Sequence, residues 1–124
     1  MAPNKPVIGN LYSPKEQSAM HGGTPFRCAP HKDGRVLLLR VKPRLNPDAP
    51  RIIDWESPND PKVRQIQEQT QQKPLPVYVR RRANEWEYMG RFRITHVATD
   101  ARTLAERSRI VGLTISYAIH LERS

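Results

Sequence analysis

The stretch PVYVRRRANEWEYMGRFRITHV, residues 76–97, decides the fold because its periodicity, turn residues and charge agree. Every second residue from position 86 is aromatic, glycine or aliphatic, which predicts a half-buried strand with one inward face. The predicted inward residues are Trp86, Tyr88, Gly90, Phe92 and Ile94. The preceding PVYVRRR is also strand-like and only residues 83–85 separate the two runs, so we predict a short hairpin with Asn84 at positive φ.

The hairpin is strongly basic. Its five arginines (Arg80, Arg81, Arg82, Arg91 and Arg93) outnumber its two glutamates. Three consecutive arginines on a strand alternate sides, so at least one of residues 80–82 must leave the solvated face or line a cavity. A solubilising outer face is the alternative interpretation, and the alternation favours a binding site.

The length and composition predict a single domain over residues 1–124, with residues 1–12 as an extended N-terminal arm. Lys and Arg number 21 against 12 acidic residues, a net charge of +9, so polyanions are expected to be attracted to the protein. The single cysteine, Cys28, excludes an intramolecular disulfide and fits a reducing cytoplasm. Apolar runs stay well short of the ~20 residues that a membrane span needs, so we expect a cytoplasmic protein without a membrane partner.

The flanking segments predict two short helices and three further strands. Ser13, Pro14 and Glu16 form a capping signature for a helix over residues 14–20, and Asp60-Pro61 begins another over residues 61–72. The strands are predicted at residues 35–42 (central in the sheet), 51–57 and 113–123. Residues 24–34 are expected to be irregular, and residues 99–109 fit either one helical turn or a loop.

This order of elements predicts an α+β fold. Five strands with two short flanking helices suit a curled, mostly antiparallel β-barrel, because a flat sheet with so little helical cover would leave an apolar face in water.

No catalytic constellation emerges from the sequence. A metal-dependent nuclease is conceivable from the acidic cluster, but a solvated edge plus a helix cap is the favoured interpretation; the cluster comprises Asp48, Asp54, Glu56 and Asp60. Cys28, His31 and His21 fall short of the four ligands of a structural zinc site, so an ordinary loop is favoured. We therefore predict a protein that is not an enzyme and has no metal and no cofactor.

Four aromatic residues are candidates for stacking on a nucleobase: Trp55, Trp86, Tyr88 and Phe92. Core packing is the competing interpretation, since large rings bury much apolar area. Phe92 is assigned to the core. Trp86 beside the turn and Trp55 beside polar residues fit either role.

Three segments carry a family resemblance: LNPDAP at 45–50, LPVYVRR at 75–81 and NEWEYMGRFRI at 84–94. With them the chain, from Gly9 to about His96, resembles small bacterial domains fused to HNH endonucleases and helicase-type restriction proteins, akin to the PUA, EVE and SRA readers of modified bases. The most specific part is the W-x-Y-x-G segment. The resemblance implies a curled barrel that recognises a flipped or altered base in DNA and leaves catalysis to another domain. The chain departs from the family pattern at Pro14, where arginine is expected after Tyr-Ser.

These observations give two functional hypotheses. In the first, the protein is a non-enzymatic nucleic-acid-binding module, with DNA favoured over RNA and a nuclease as a candidate protein partner. Its predicted nucleic-acid-binding residues are Arg80, Arg82, Asn84, Arg91 and Arg93, and its predicted base pocket comprises Tyr12, Trp55, Ser57, Trp86 and Tyr88. In the second, the protein mediates assembly: its basic surface binds an acidic partner, or its exposed strands form a homodimer.

Overall fold

The computed structural model describes residues 5–124, so the first four residues of the predicted N-terminal arm lie outside the described residues. Within that range the chain forms eight strands and three helices. In chain order they are β1 (Leu11–Tyr12), α1 (Pro14–His21), β2 (His31–Lys32), β3 (Arg35–Val36), β4 (Leu39–Val41), β5 (Ile52–Trp55), α2 (Pro61–Gln72), β6 (Leu75–Arg82), β7 (Glu85–Ala98), α3 (Ala101–Val111) and β8 (Tyr117–Arg123).

The main sheet is a curled half-barrel, with five strands in the order β4-β6-β7-β8-β5 and β1 paired to β7. Every pairing is antiparallel except that of β4 with β6. The predicted α+β class and mostly antiparallel curled sheet are confirmed. The strands β4 and β5 are the two edge strands of the sheet. Loop residues bond to the outer edge of each strand: the Arg40 N–H donates to the Cys28 carbonyl, and the Asp54 N–H donates to Asn46 Oδ1.

Local capping determines where the first two helices begin. The Ser13 hydroxyl accepts from the Glu16 amide while the Glu16 carboxylate accepts from the Ser13 amide, which is the predicted capping box. The Asp60 carboxylate caps α2, whose bounds match the prediction of residues 61–72. The inward stripe of α2 is the predicted one of Val63, Ile66 and Thr70.

The prediction of only two helices is wrong, because residues 101–111 form α3. Asp100 accepts from the Thr103 amide at its start, and Gly112 ends it at φ 85°. A single buried side chain, Arg107, attaches the helix to the rest of the protein through ion pairs to Asp48 and Asp54. Its apolar side is thin, because Leu104 and Val111 are only half-buried, and arginines and other polar residues dominate the segment in the sequence. No helix within residues 5–124 has both the length and the apolar character to cross a membrane.

Three strand predictions also change. Residues 35–42 form two short strands, β3 and β4, and β4 lies at one end of the sheet instead of at its centre. Residues 24–34, predicted to be irregular, include β2, which pairs with β3 around the turn at Asp33 and Gly34. The last strand begins at Tyr117, four residues later than predicted, and Leu113 remains exposed.

A β-bulge at Met89 divides the aromatic residues of β7 between two core clusters. Val77 pairs with Gly90 and Tyr78 with Tyr88, so Met89 is the extra residue. Phe92 and Ile94 lie in the larger cluster. The smaller cluster comprises Tyr12, Leu38, Tyr78, Trp86 and Tyr88. The single inward face predicted for residues 86–94 is therefore corrected: a bulge shifts the alternation, so the five residues do not share one face.

Candidate nucleic-acid interface

A cleft of about 510 Å³ lies between the two edge strands of the half-barrel. Its apolar lining includes Leu39 and Val41 from β4 and Ile53 from β5. Residues 25–28 form one side, and Lys42, Leu45 and Asn46 form another. We call it the aromatic cleft, because Phe26, Trp55 and Trp86 all line it.

The three rings are held differently. Trp55 is half-buried and its indole N–H donates to Asp60 Oδ2 at 3.0 Å, while Asp60 Oδ1 accepts from the Lys62 amide at the start of α2. Trp86 is only 8% exposed, because it also packs in the smaller core cluster. Phe26 is 91% exposed on its loop. Phe26 and Trp55 thus present ring surface to a planar ligand, and Trp86 contributes only its small exposed part.

A second cleft of about 600 Å³ adjoins the aromatic cleft, with Lys42 and Leu45 lining both. It is called here the basic groove, and the cations that line it are Lys42, Arg44, Arg80, Arg81 and Arg82. Glu87 lies 2.9 Å from Arg81, and Glu85 lies 3.9 Å from Arg82. Among residues 5–124, the other three cations have no carboxylate within salt-bridge distance.

Arg40 adds a buried positive charge to the lining of the aromatic cleft. Its Nε donates to Gln17 Oε1 at 2.6 Å, and its Nη1 donates to the carbonyls of Thr24 and Arg27 at 3.0 and 2.8 Å. Burial lowers the pKa of Arg40, since its hydrogen-bond partners are neutral. The guanidinium holds α1 and the Phe26 loop against β4, and its charge favours anionic ligands nearby.

Three of the four acidic residues singled out from the sequence have structural roles: Asp60 caps α2 and binds the Trp55 indole, and Asp48 and Asp54 bind Arg107, whereas Glu56 is exposed. Arg107 binds both carboxylate oxygens of Asp54 at 2.7 Å and Asp48 at 2.7 Å, and these hydrogen bonds raise the pKa of Arg107. The side chain of Asp54 is fully buried, so the predicted solvated edge is not its environment. No three His, Cys, Asp or Glu side chains of the described part of the chain come together to hold a metal ion.

Beside the smaller core cluster, half-buried His21 contacts one of its tyrosines. His21 Nε2 lies 2.7 Å from the hydroxyl of Tyr78, whose ring is fully buried. Burial, with Arg91 and Arg40 nearby, lowers the pKa of His21 to about 4, and burial raises the pKa of Tyr78. Tyr12 and Tyr88 pack against Tyr78, and the Tyr12 hydroxyl accepts from the Val7 amide.

The structure brings together three of the five predicted base-pocket residues, since Trp55, Ser57 and Trp86 line the aromatic cleft. Tyr12 and Tyr88 lie in the smaller core cluster and not in the cleft lining.

The predicted nucleic-acid-binding residues occupy three places. Arg80 and Arg82 line the basic groove. Asn84 forms the hairpin turn at φ 62°, as expected for its position. Arg91 and Arg93 are exposed along β7; Arg91 Nη1 donates to the Pro74 carbonyl, and Arg93 lies 3.9 Å from Glu122.

Sequence reasoning missed Phe26, Lys42 and Arg44. In the sequence Phe26 follows a proline in a loop, and the two cations lie on either side of Pro43. Such positions are weak evidence of a site on their own. They gain importance in the structure because the two loops line adjoining clefts. No protein-family model, no curated protein and no solved structure matches the chain.

Proposed function

We propose that the protein is a non-enzymatic nucleic-acid-binding module that holds phosphates in the basic groove and one unstacked base in the aromatic cleft. The observation that carries this proposal is the junction of the two clefts at Lys42 and Leu45. A nucleotide combines a planar base with a phosphate, and two adjoining clefts of matching chemistry suit that combination.

The basic groove supplies affinity in this proposal. Lys42, Arg44 and Arg80 are exposed and free of carboxylate partners within residues 5–124, so their charges are available to phosphates. Each phosphate that they neutralise releases condensed counterions, which makes binding fall steeply with salt. The remaining groove cations, Arg81 and Arg82, contribute less because glutamates share their charge.

The aromatic cleft supplies base contact. Its volume of about 510 Å³ is in the range of pockets that enclose small ligands. Stacking on an aromatic side chain stabilises a bound base by ~1–3 kcal/mol, but a base inside a duplex already stacks on its neighbours. The ligand is therefore a single strand, or a duplex from which one base is flipped.

The resemblance to PUA, EVE and SRA readers supports DNA over RNA and a flipped or modified base as the target. It also supports a restriction or defence setting in which a partner nuclease performs the cleavage. These points rest on the residues of the three resembling segments alone.

The test is fluorescence anisotropy with short DNA and RNA probes, single-stranded and duplex, with and without modified cytosine or adenine, at two salt concentrations. We expect Phe26→Ala to weaken binding of a single strand by about ten-fold, because one stacking surface is lost. Phe26 is 91% exposed, so this change leaves the core intact.

The matched control is Ile110→Ala, which removes an exposed apolar side chain from α3, away from both clefts. It should bind like the wild-type protein. Equal weakening in both variants, or no binding of any probe near physiological salt, would overturn the proposal.

A second candidate function, self-assembly, is favoured by one observation. Val7, Ile8 and Leu11 are 57%, 53% and 47% exposed, an unusual amount of apolar surface for so short a segment. Sedimentation equilibrium of the wild-type protein and an Ile8→Ser variant tests this candidate. A concentration-dependent dimer that the substitution disrupts, together with indifference to nucleic acid, would favour assembly over base recognition.

A further inference from the structure

Two acidic residues line the aromatic cleft, Asp54 and Glu56, and only Glu56 is exposed. The side chain of Asp54 is fully buried and bound at both oxygens by Arg107. Glu56 is exposed, and within the described residues its carboxylate has neither a salt bridge nor a hydrogen bond. An ionised carboxylate only accepts hydrogen bonds, so a ligand group that bonds to Glu56 must be a hydrogen-bond donor.

The backbone that carries Glu56 is fixed beside a stacking surface. Ser116 donates from its amide to the Trp55 carbonyl at 2.8 Å and from its hydroxyl to the Glu56 carbonyl at 2.7 Å. The Trp55 ring is itself held by Asp60. Glu56 therefore lies next in the chain to a ring that lines the cleft, and hydrogen bonds to Ser116 hold the backbone of both residues.

Glu56 is unsuited to phosphate. Its charge repels phosphate, although the surrounding Arg27, Arg40 and Lys42 attract it. The contribution of Glu56 to binding must then come from the neutral part of the ligand, where hydrogen-bond donors distinguish one base from another.

We propose that Glu56 selects guanine among the common bases. Guanine presents two adjacent donors on its Watson–Crick edge, the ring N1–H and the 2-amino group, which match the two oxygens of one carboxylate. Adenine and cytosine place an acceptor nitrogen beside their amino group, and thymine flanks one N–H with two carbonyls. In each of these bases a lone pair faces a carboxylate oxygen, which is unfavourable.

This inference rests on the proposed function, so its test compares probes that differ at one base. The probes are single-stranded thymidine tracts with one central guanine, adenine, cytosine, thymine or hypoxanthine. We expect the guanine probe to bind at least about ten-fold more tightly than the others, with hypoxanthine intermediate because it lacks the 2-amino donor.

The variant Glu56→Gln keeps the size of the side chain but replaces one acceptor by a donor, so we expect the guanine preference to fall to about two-fold or less. Glu106→Gln is the matched control, because Glu106 is exposed on α3 and lines neither cleft. Both substitutions raise the net charge equally, and Glu106→Gln should keep the guanine preference.

Two outcomes separate this inference from the proposed function. If all five probes bind alike and Phe26→Ala still weakens them, the guanine assignment is overturned while the nucleic-acid module stands. If no probe binds, both fail. A guanine preference that survives Glu56→Gln would also overturn the role given to Glu56.

Discussion

Acid should destabilise the protein through His21. The ring is half-buried against the Tyr78 hydroxyl, and its pKa falls from 6.5 to about 4 in the folded state. Between those two values the unfolded chain binds a proton that the folded protein does not. Stability conferred by the neutral ring is therefore fully present above pH 6.5 and is lost as the pH falls towards 4.

The size of the effect follows from the two pKa values. Linkage gives about 2 kcal/mol of lost stability at pH 5 relative to pH 7, and solvent screening of a half-buried ring reduces this to about 1–2 kcal/mol. Urea unfolding followed by tryptophan fluorescence at pH 7, 6 and 5 measures the loss directly. His21→Gln removes the titrating group, so the difference in unfolding free energy between wild type and variant should narrow by that amount as the pH falls.

Other groups titrate in both proteins and cancel in this difference. His120, whose pKa burial also lowers, is one of them. His31→Gln is the control, because it replaces an exposed histidine on β2 that does not contact Tyr78. Parallel pH curves for wild type and His21→Gln would refute the reasoning.

Three further predictions concern charge and backbone. Arg80→Gln should reduce the slope of log affinity against log salt by about 1, while Arg102→Gln on α3 should leave the slope unchanged, as measured by anisotropy over a salt series. Arg107→Leu should lower the unfolding free energy by ~3–5 kcal/mol in urea titrations, because it leaves the Asp54 carboxylate buried and unpaired. Gly90→Ala should cost about 1–3 kcal/mol in the same assay, since Gly90 has φ 108°. A Cβ added at Gly90 would also lie 3.2 Å from a side-chain atom of Ile8. A Gly90→Ala variant with an unchanged urea midpoint would contradict the account of the bulge.

Features set by neighbouring residues were predictable from the sequence. The caps at Ser13 and Asp60 each satisfy an amide two or three positions away, so the helices begin where the local chemistry requires. The hairpin turn at Asn84 is equally local. The hairpin pairs β6 with β7 at the centre of the sheet, whereas the cleft lined by Trp55, Ser57 and Trp86 also needs the long-range pairing of β5 with β8.

Features that depend on distant residues were not predictable. The helix α3 is attached by an ion pair between Arg107 and Asp54, which are 53 positions apart in the chain. The bulge at Met89 depends on how β7 meets β6, and one extra residue is enough to separate Trp86 and Tyr88 from Phe92. Phe26 lines the aromatic cleft because its loop lies beside β4. The spacing of apolar residues in the sequence does not predict that loop position.

The open seam of the half-barrel has a consequence for solubility. Edge strands with unpaired amides and carbonyls readily form hydrogen bonds with edge strands of other molecules, which leads to aggregation. In this sheet β4 and β5 are the two edge strands. The Cys28 carbonyl accepts a hydrogen bond from a backbone amide of β4, and the Asn46 side chain accepts one from a backbone amide of β5. The loops that form the cleft thus also guard against aggregation. Substitutions that loosen them should yield protein that precipitates as well as protein that fails to bind, so expression yield and ligand affinity should decline together.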